Sequence, residues 1–165
     1  MPARKSTPTP RAGISEDHFT RLSRVARATR QGWAASGLLS PQASRYSLED
    51  LHEVVVYARL REQFNASADV VWAQAREGLT SVIARPPIEL VVDCHLLRAA
   101  WVLDDGAITQ AARSGNDVRL IDLTEIVAEA TAGFELVIAT PRRATAPAAD
   151  QLAARRARRS TDAAS

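Results

Sequence analysis

Cysteine, lysine and long apolar runs are what this 165-residue chain has least of. A single cysteine, Cys94, excludes an internal disulfide and a cysteine-built zinc cage, and it points to a reducing, cytoplasmic setting. No 18-residue stretch is apolar throughout, so a membrane-spanning helix is not expected. Met1 to Pro10 is polar and proline-rich with no apolar segment, which does not read as a secretory signal. A glycine-rich phosphate loop, a G-x-S-x-G elbow and an H-E-x-x-H pair are all missing, so no catalytic residue, metal ligand or cofactor is expected. Asp93-Cys94-His95 does not repair that absence, because adjacent side chains on a strand point to opposite faces.

Lys5 is the one lysine among 21 basic residues, so nearly all positive charge is guanidinium. That planar fork suits phosphates and guanine edges. A GC-rich coding sequence accounts for a preference for arginine but not for its clustering. Residues 1–48 hold eight Lys/Arg against two acids, a net of +6. Residues 49–140 hold seven arginines against fifteen acids, a net of −8, and residues 141–165 six against two, a net of +4. The polarity separates a phosphate-binding end from an acidic middle, although the whole chain carries only +2.

With 46% hydrophobic residues the chain is expected to fold, and its pattern reads as α+β. Residues 1–14, rich in proline and small polar residues, read as disordered. Ser15 stands as an N-cap with Glu16 and Asp17 in the first turn, and helical character continues to Ser36, where Gly37 is a natural stop. Leu38 to Ser44 is a loop containing Pro41. Ser47 and Asp50 form a capping-box pattern for a helix with Leu48, Leu51, Val54, Val55, Ala58 and Leu60 on its apolar side. Asn65 to Ser67 interrupt it, and a further helix starts at Ser67 or Asp69 and ends near Ser81.

Arg85-Pro86-Pro87 marks a boundary, after which strands are expected. Ile88 to Asp93 is one. Ala100 to Leu103 and Ala107 to Thr109 flank Asp104-Asp105-Gly106 as a hairpin, since Asp-Gly tolerates positive φ. After a turn at Ser114 to Asp117 come a strand over Val118 to Ile121, a short helix from Asp122 ending at Gly133, and a last strand over Glu135 to Thr140. From Pro141 the chain is an Arg/Ala-rich tail that reads as disordered. The expected organisation is therefore 1–14 disordered, a helical domain over 15–83, a small β-rich α+β unit over 86–140, and a disordered tail over 141–165.

Residues 17–41 can be laid without gaps on the start of a known pattern. Phe19 and Leu22 fall on its first helix, Val25 in the turn, Thr29 and the aromatic Trp33 on its second helix, and Gly37-Leu38-Leu39-Ser40-Pro41 on Gly-Leu-Leu-x-Pro. Arg45-Tyr46-Ser47-Leu48-Glu49-Asp50-Leu51 follows as Arg-Tyr-Ser-x-x-Asp-Leu. Over about residues 17–80 the chain thus resembles the MerR family of transcription regulators. The resemblance implies a winged helix-turn-helix that binds double-stranded DNA as a homodimer. Two positions depart from the pattern: Arg24 stands where the turn usually has glycine, and Arg30 where an apolar residue is usual. The spacing also leaves a second reading open. Phe19, Leu22, Ala26, Thr29 and Trp33 recur at threes and fours, as on one unbroken helix.

Under the helix-turn-helix reading, Arg27, Arg30 and Gln31 share a face of the second helix and reach bases, with Arg30 pointing outward because a buried arginine without a partner is costly. Thr29 contacts phosphate or packs. Arg45 and Tyr46 sit at the wing, and Arg21 and Arg24 add phosphate neutralisation. Chains of high-GC bacteria that join such a headpiece to a small strand-rich part resemble antitoxins, which implies binding to the chain's own promoter and to a cognate toxin. The alternative is a protein–protein module that grips a toxin or other partner without DNA.

Overall fold

The structure, a computed structural model, describes residues 13–40, 45–103 and 117–140. The expectations for residues 1–12, the 104–106 hairpin turn, the 107–109 strand and the 141–165 tail lie outside the described residues. Gly13 and Ile14, read from sequence as part of a disordered end, are instead buried. Ile14 exchanges backbone hydrogen bonds with Tyr46, at 2.9 and 3.1 Å, and so ties the start of the chain to the entry of a later helix.

Helix α1 spans Glu16–Ser23 and α2 spans Arg27–Ala35. Between them the chain turns because Arg24 adopts the left-handed conformation, at φ 57°, and Ala26 is extended. The unbroken-helix alternative is thereby overturned. Ser15 holds the N-cap position, but its hydroxyl meets His18 Nδ1 at 3.1 Å and caps no backbone N–H. At the far end of α2, Gly37 takes φ 75°, and the Leu38 N–H bonds back to the Trp33 carbonyl at 2.9 Å.

Helix α3, Leu48–Phe64, starts on the expected capping box: the Ser47 N–H donates to Asp50 Oδ2 at 2.7 Å and the Asp50 N–H to Ser47 Oγ at 3.1 Å. It buries residues nearly all round, from Leu51 through Tyr57 to Leu60, as befits the central helix of the fold. The interruption at Asn65–Ser67 is a short 3-10 turn, α4 follows over Ala68–Ala75, and after a second 3-10 turn α5 covers Leu79–Ile83. An aromatic seam joins these helices to α2. Trp33 meets Tyr57 edge-on at 4.7 Å, Tyr57 lies 5.7 Å from Trp72, and the Trp72 indole donates to the Leu38 carbonyl.

Strands β1 (Glu89–Asp93), β2 (Arg98–Trp101) and β3 (Val118–Asp122) form an antiparallel sheet in the order β2-β1-β3. Central β1 buries Leu90, Val91 and Val92 in succession, which is why it reads as an apolar run rather than an alternation. The β1–β2 hairpin turns at Cys94–Leu97, where the sequence signalled no turn, and β2 starts two residues before the expected Ala100. There the Asp93 carboxylate accepts the His95 and Leu96 N–H groups, at 3.0 and 2.9 Å, and Leu97 takes φ 51°. Trp101 donates to the Ala75 carbonyl at 2.7 Å, docking β2 on α4.

The last helix, α6, runs over Thr124–Ala139. The expected stop at Gly133 and strand over Glu135–Thr140 are corrected: Gly133 is interior to the helix. A Cβ there would lie 2.5 Å from Leu22 Cδ2, so the glycine lets α1 approach α6 closely. One continuous set of buried side chains extends from Ile14 in the first part to Phe134 in α6, so helices and sheet share a core. Among the described residues, no helix is long and apolar enough to cross a membrane.

Candidate nucleic-acid interface

The eight residues expected to bind DNA separate into three groups. The first is turned inward. Arg30 has no solvent exposure, which corrects the expectation that it points outward and reads bases. Its Nη2 donates to the Glu16 carboxylate and to Thr20 Oγ1 at 3.2 Å; its Nη1 reaches the Val25 carbonyl at 3.2 Å. Its guanidinium lies 4.6 Å from the centre of the Phe19 ring and 5.6 Å from that of Tyr46. A charge where the family pattern has an apolar residue is thus accommodated by an acid fourteen positions earlier, which only the fold brings alongside.

Tyr46 is also corrected from wing contact to core. It is buried, its ring packs 4.1 Å from that of Phe19, and its hydroxyl donates to Glu16. Burial and that bond to Glu16 push the phenol pKa up, so the proton stays on the donor. For Glu16, burial pushes the pKa up, but hydrogen bonds from Tyr46, Arg30 and Thr20 and the charge of Arg30 outweigh it, leaving the carboxyl below its ordinary value. Glu16, absent from the sequence-based site, is therefore the hub on which α1, α2 and the approach to α3 meet.

A second group lies beside α6. Arg21 and Arg45 are exposed and line one hollow with His18, Leu136 and Ile138. Arg45 is also anchored, donating Nε to the Gly13 carbonyl at 3.1 Å. Arg24 lies 3.6 Å from Glu129 of α6, but both side chains are largely in water and the pair contributes little.

The third group is the outward side of α2. Arg27, Thr29 and Gln31 are exposed there together with Ala28, Gly32 and Ala35. Arg27 stands at its edge, with Nε 3.8 Å from Glu16. The side chains of Thr29 and Gln31 make no hydrogen bond among the described residues, so their polar atoms are available to an incoming molecule. Gly32 has no internal reason to be glycine: a Cβ added there meets nothing within 4 Å. Gly32→Ala is accordingly expected to raise stability by about 0.5–1 kcal/mol in thermal or urea unfolding. A loss would show that the position is constrained from inside.

Cys94 is partly buried and its pKa is raised by burial and by the Asp117 carboxylate, which disfavours a thiolate. No group of three or more His, Cys, Asp or Glu residues suited to a metal ion occurs among the described residues. Neither a protein-family model nor a curated protein matches the chain.

Proposed function

We propose that residues 15–83 are a MerR-like winged helix-turn-helix and that the protein is a sequence-specific DNA-binding transcription regulator acting as a homodimer. The observation that carries this is the pairing of α1 and α2 across a three-residue turn, Arg24 to Ala26, with the outward side of α2 exposed. That is the relation a recognition helix needs to enter a major groove. The basic bias of residues 1–48 supports it, because most protein–DNA affinity comes from phosphate neutralisation. In this reading Gln31 faces base edges, Thr29 contacts phosphate, Arg27 stands at the rim of the groove, and Arg21, Arg24 and Arg45 supply charge from the flank.

Burial of Arg30 changes what mutagenesis should show. Gln31→Ala is expected to weaken binding to the chain's own upstream DNA about tenfold or more while leaving random DNA nearly unchanged. Arg27→Ala should weaken both alike and reduce the salt slope by about one. Binding titrations at several salt concentrations check this; equal loss on both fragments for Gln31→Ala would remove the readout role.

A partner-protein role attaches to α6, on a surface that shares Arg21 and Arg45 with the DNA-binding flank. Leu136 and Ile138 of α6 are 69% and 45% exposed beside the hollow that Arg21 and Arg45 line. An apolar pair with a basic rim suits an acidic-rimmed partner, and an autoregulating antitoxin would use it for its toxin. Leu136→Ala would then weaken capture of the neighbouring gene's product; capture unchanged by it would exclude this surface.

A further inference from the structure

We propose that α2 reads A·T rather than G·C base pairs at the centre of its half-site, with Gln31 on adenine and the methyl groups of Ala28 and Ala35 against thymine. The proposal rests on the DNA-binding reading above and names its target. A helical repeat of 3.6 residues puts positions 28, 31, 32 and 35 on one side of α2, and all four are exposed, opposite the fully buried Arg30. The one charged group beside that side is Arg27, a turn before Gln31 at its edge. On the side itself the single long polar group is the Gln31 amide, which presents a donor and an acceptor and so matches the N6 and N7 edge of adenine. Guanine is read by a guanidinium or ammonium reaching O6 and N7. On α2 one such group is spent inside, where Arg30 bonds Glu16, and the other, Arg27, lies at the edge with its Nε 3.8 Å from the same carboxylate.

The flatness of this side has a second cause. Ala28, Gly32 and Ala35 add almost no height to the helix, and Gly32 is not required by anything packed against it. A mid-helix glycine with open space above it allows another surface to come close to the backbone. Close approach is what a thymine methyl needs, since its recognition is van der Waals contact that fades within an ångström.

Selection of bound duplexes from a random pool by the full-length protein tests the proposal. Half-site centres of A·T pairs are expected, with Gln31→Ala cutting the preference for adenine at one position about tenfold and Gln31→Arg moving that position from adenine to guanine. Centres of G·C pairs, or a Gln31→Arg selection identical to wild type, would overturn the A·T assignment and leave the DNA-binding reading intact. A bound pool with no enriched sequence would instead overturn the sequence-specific reading and this proposal with it.

Discussion

Glu16→Ala is expected to destabilise the protein by about 3–5 kcal/mol, the cost of leaving a buried charge uncompensated. Arg30 has no exposure, and among the described residues its Nε has no partner and Glu16 is the one counter-charge its guanidinium bonds. Removing that carboxylate also deprives the Tyr46 hydroxyl and Thr20 of an acceptor. Urea unfolding should show a lower midpoint at unchanged slope. The double variant Glu16→Gln with Arg30→Met is expected to lose less than Glu16→Ala alone, because it deletes the charge rather than stranding it. Its ring contacts survive in part, since methionine packs well against aromatic edges such as those of Phe19 and Tyr46. If Glu16→Ala keeps wild-type stability, Arg30 is free to swing outward and the helix pair is held by apolar packing alone.

The second large effect is on pH dependence. His52 is 4% exposed, and its Nε2 lies 2.8 Å from Thr131 Oγ1 of α6. The Thr131 hydroxyl donates its proton to the Val127 carbonyl at 2.8 Å, so it accepts from His52 and the imidazole is the neutral Nε2–H form. Burial pushes the pKa of His52 down to about 4, from 6.5. A group whose folded pKa is depressed binds fewer protons folded than unfolded between the two values. Stability is therefore full above pH 6.5 and falls as pH drops towards 4, by on the order of 3 kcal/mol. His52→Gln, which can still donate to Thr131, should flatten the profile in that window. Glu16 acts lower, because its carboxyl is held below its ordinary 4.5 and its contribution is lost as pH falls beneath that value. Denaturant melts from pH 7 to well below 4 separate the two; a His52→Gln profile as steep as wild type between 6.5 and about 4 would assign the slope elsewhere.

How far the sequence could be read depended on whether the deciding interaction was local. Ser47 and Asp50 announced α3 because a capping box closes within four residues. The turn after α1 was harder. Its residue is Arg24 rather than glycine, and the left-handed conformation that breaks the helix leaves no mark in apolar spacing. Arg30 was misplaced outward because its partner lies fourteen residues away, across a turn the sequence had not settled. One hint was present: Glu16 and Asp17 are the only acids among the first 48 residues. Gly133 misled in the opposite direction. A glycine near a helix end usually marks a stop, and what makes this one interior is the approach of Leu22 from α1, a contact 111 positions away in the chain. The hairpin at Cys94–Leu97 is closed by an Asx-type turn at Asp93, without the Asp-Gly pair by which a hairpin is most easily recognised in sequence.

At the interface the same rule separates what could be foreseen from what could not. Helical periodicity placed Arg27 and Gln31 on one exposed side, and they are there. It also placed Arg30 beside them, because a period knows nothing of which side faces the core. Only the packing of Phe19 and Tyr46 around the guanidinium decides that.

The most direct test of the DNA-binding reading is titration of the purified protein against its own upstream DNA and a scrambled duplex of equal length, at about 50 and 200 mM salt, the range over which phosphate contacts weaken most visibly. A preference for the upstream fragment that persists at the higher salt is the predicted result, since base contacts by α2 do not depend on counterion release. Weak binding that disappears equally from both duplexes would contradict it, and would leave the arginines of the first 48 residues as surface charge.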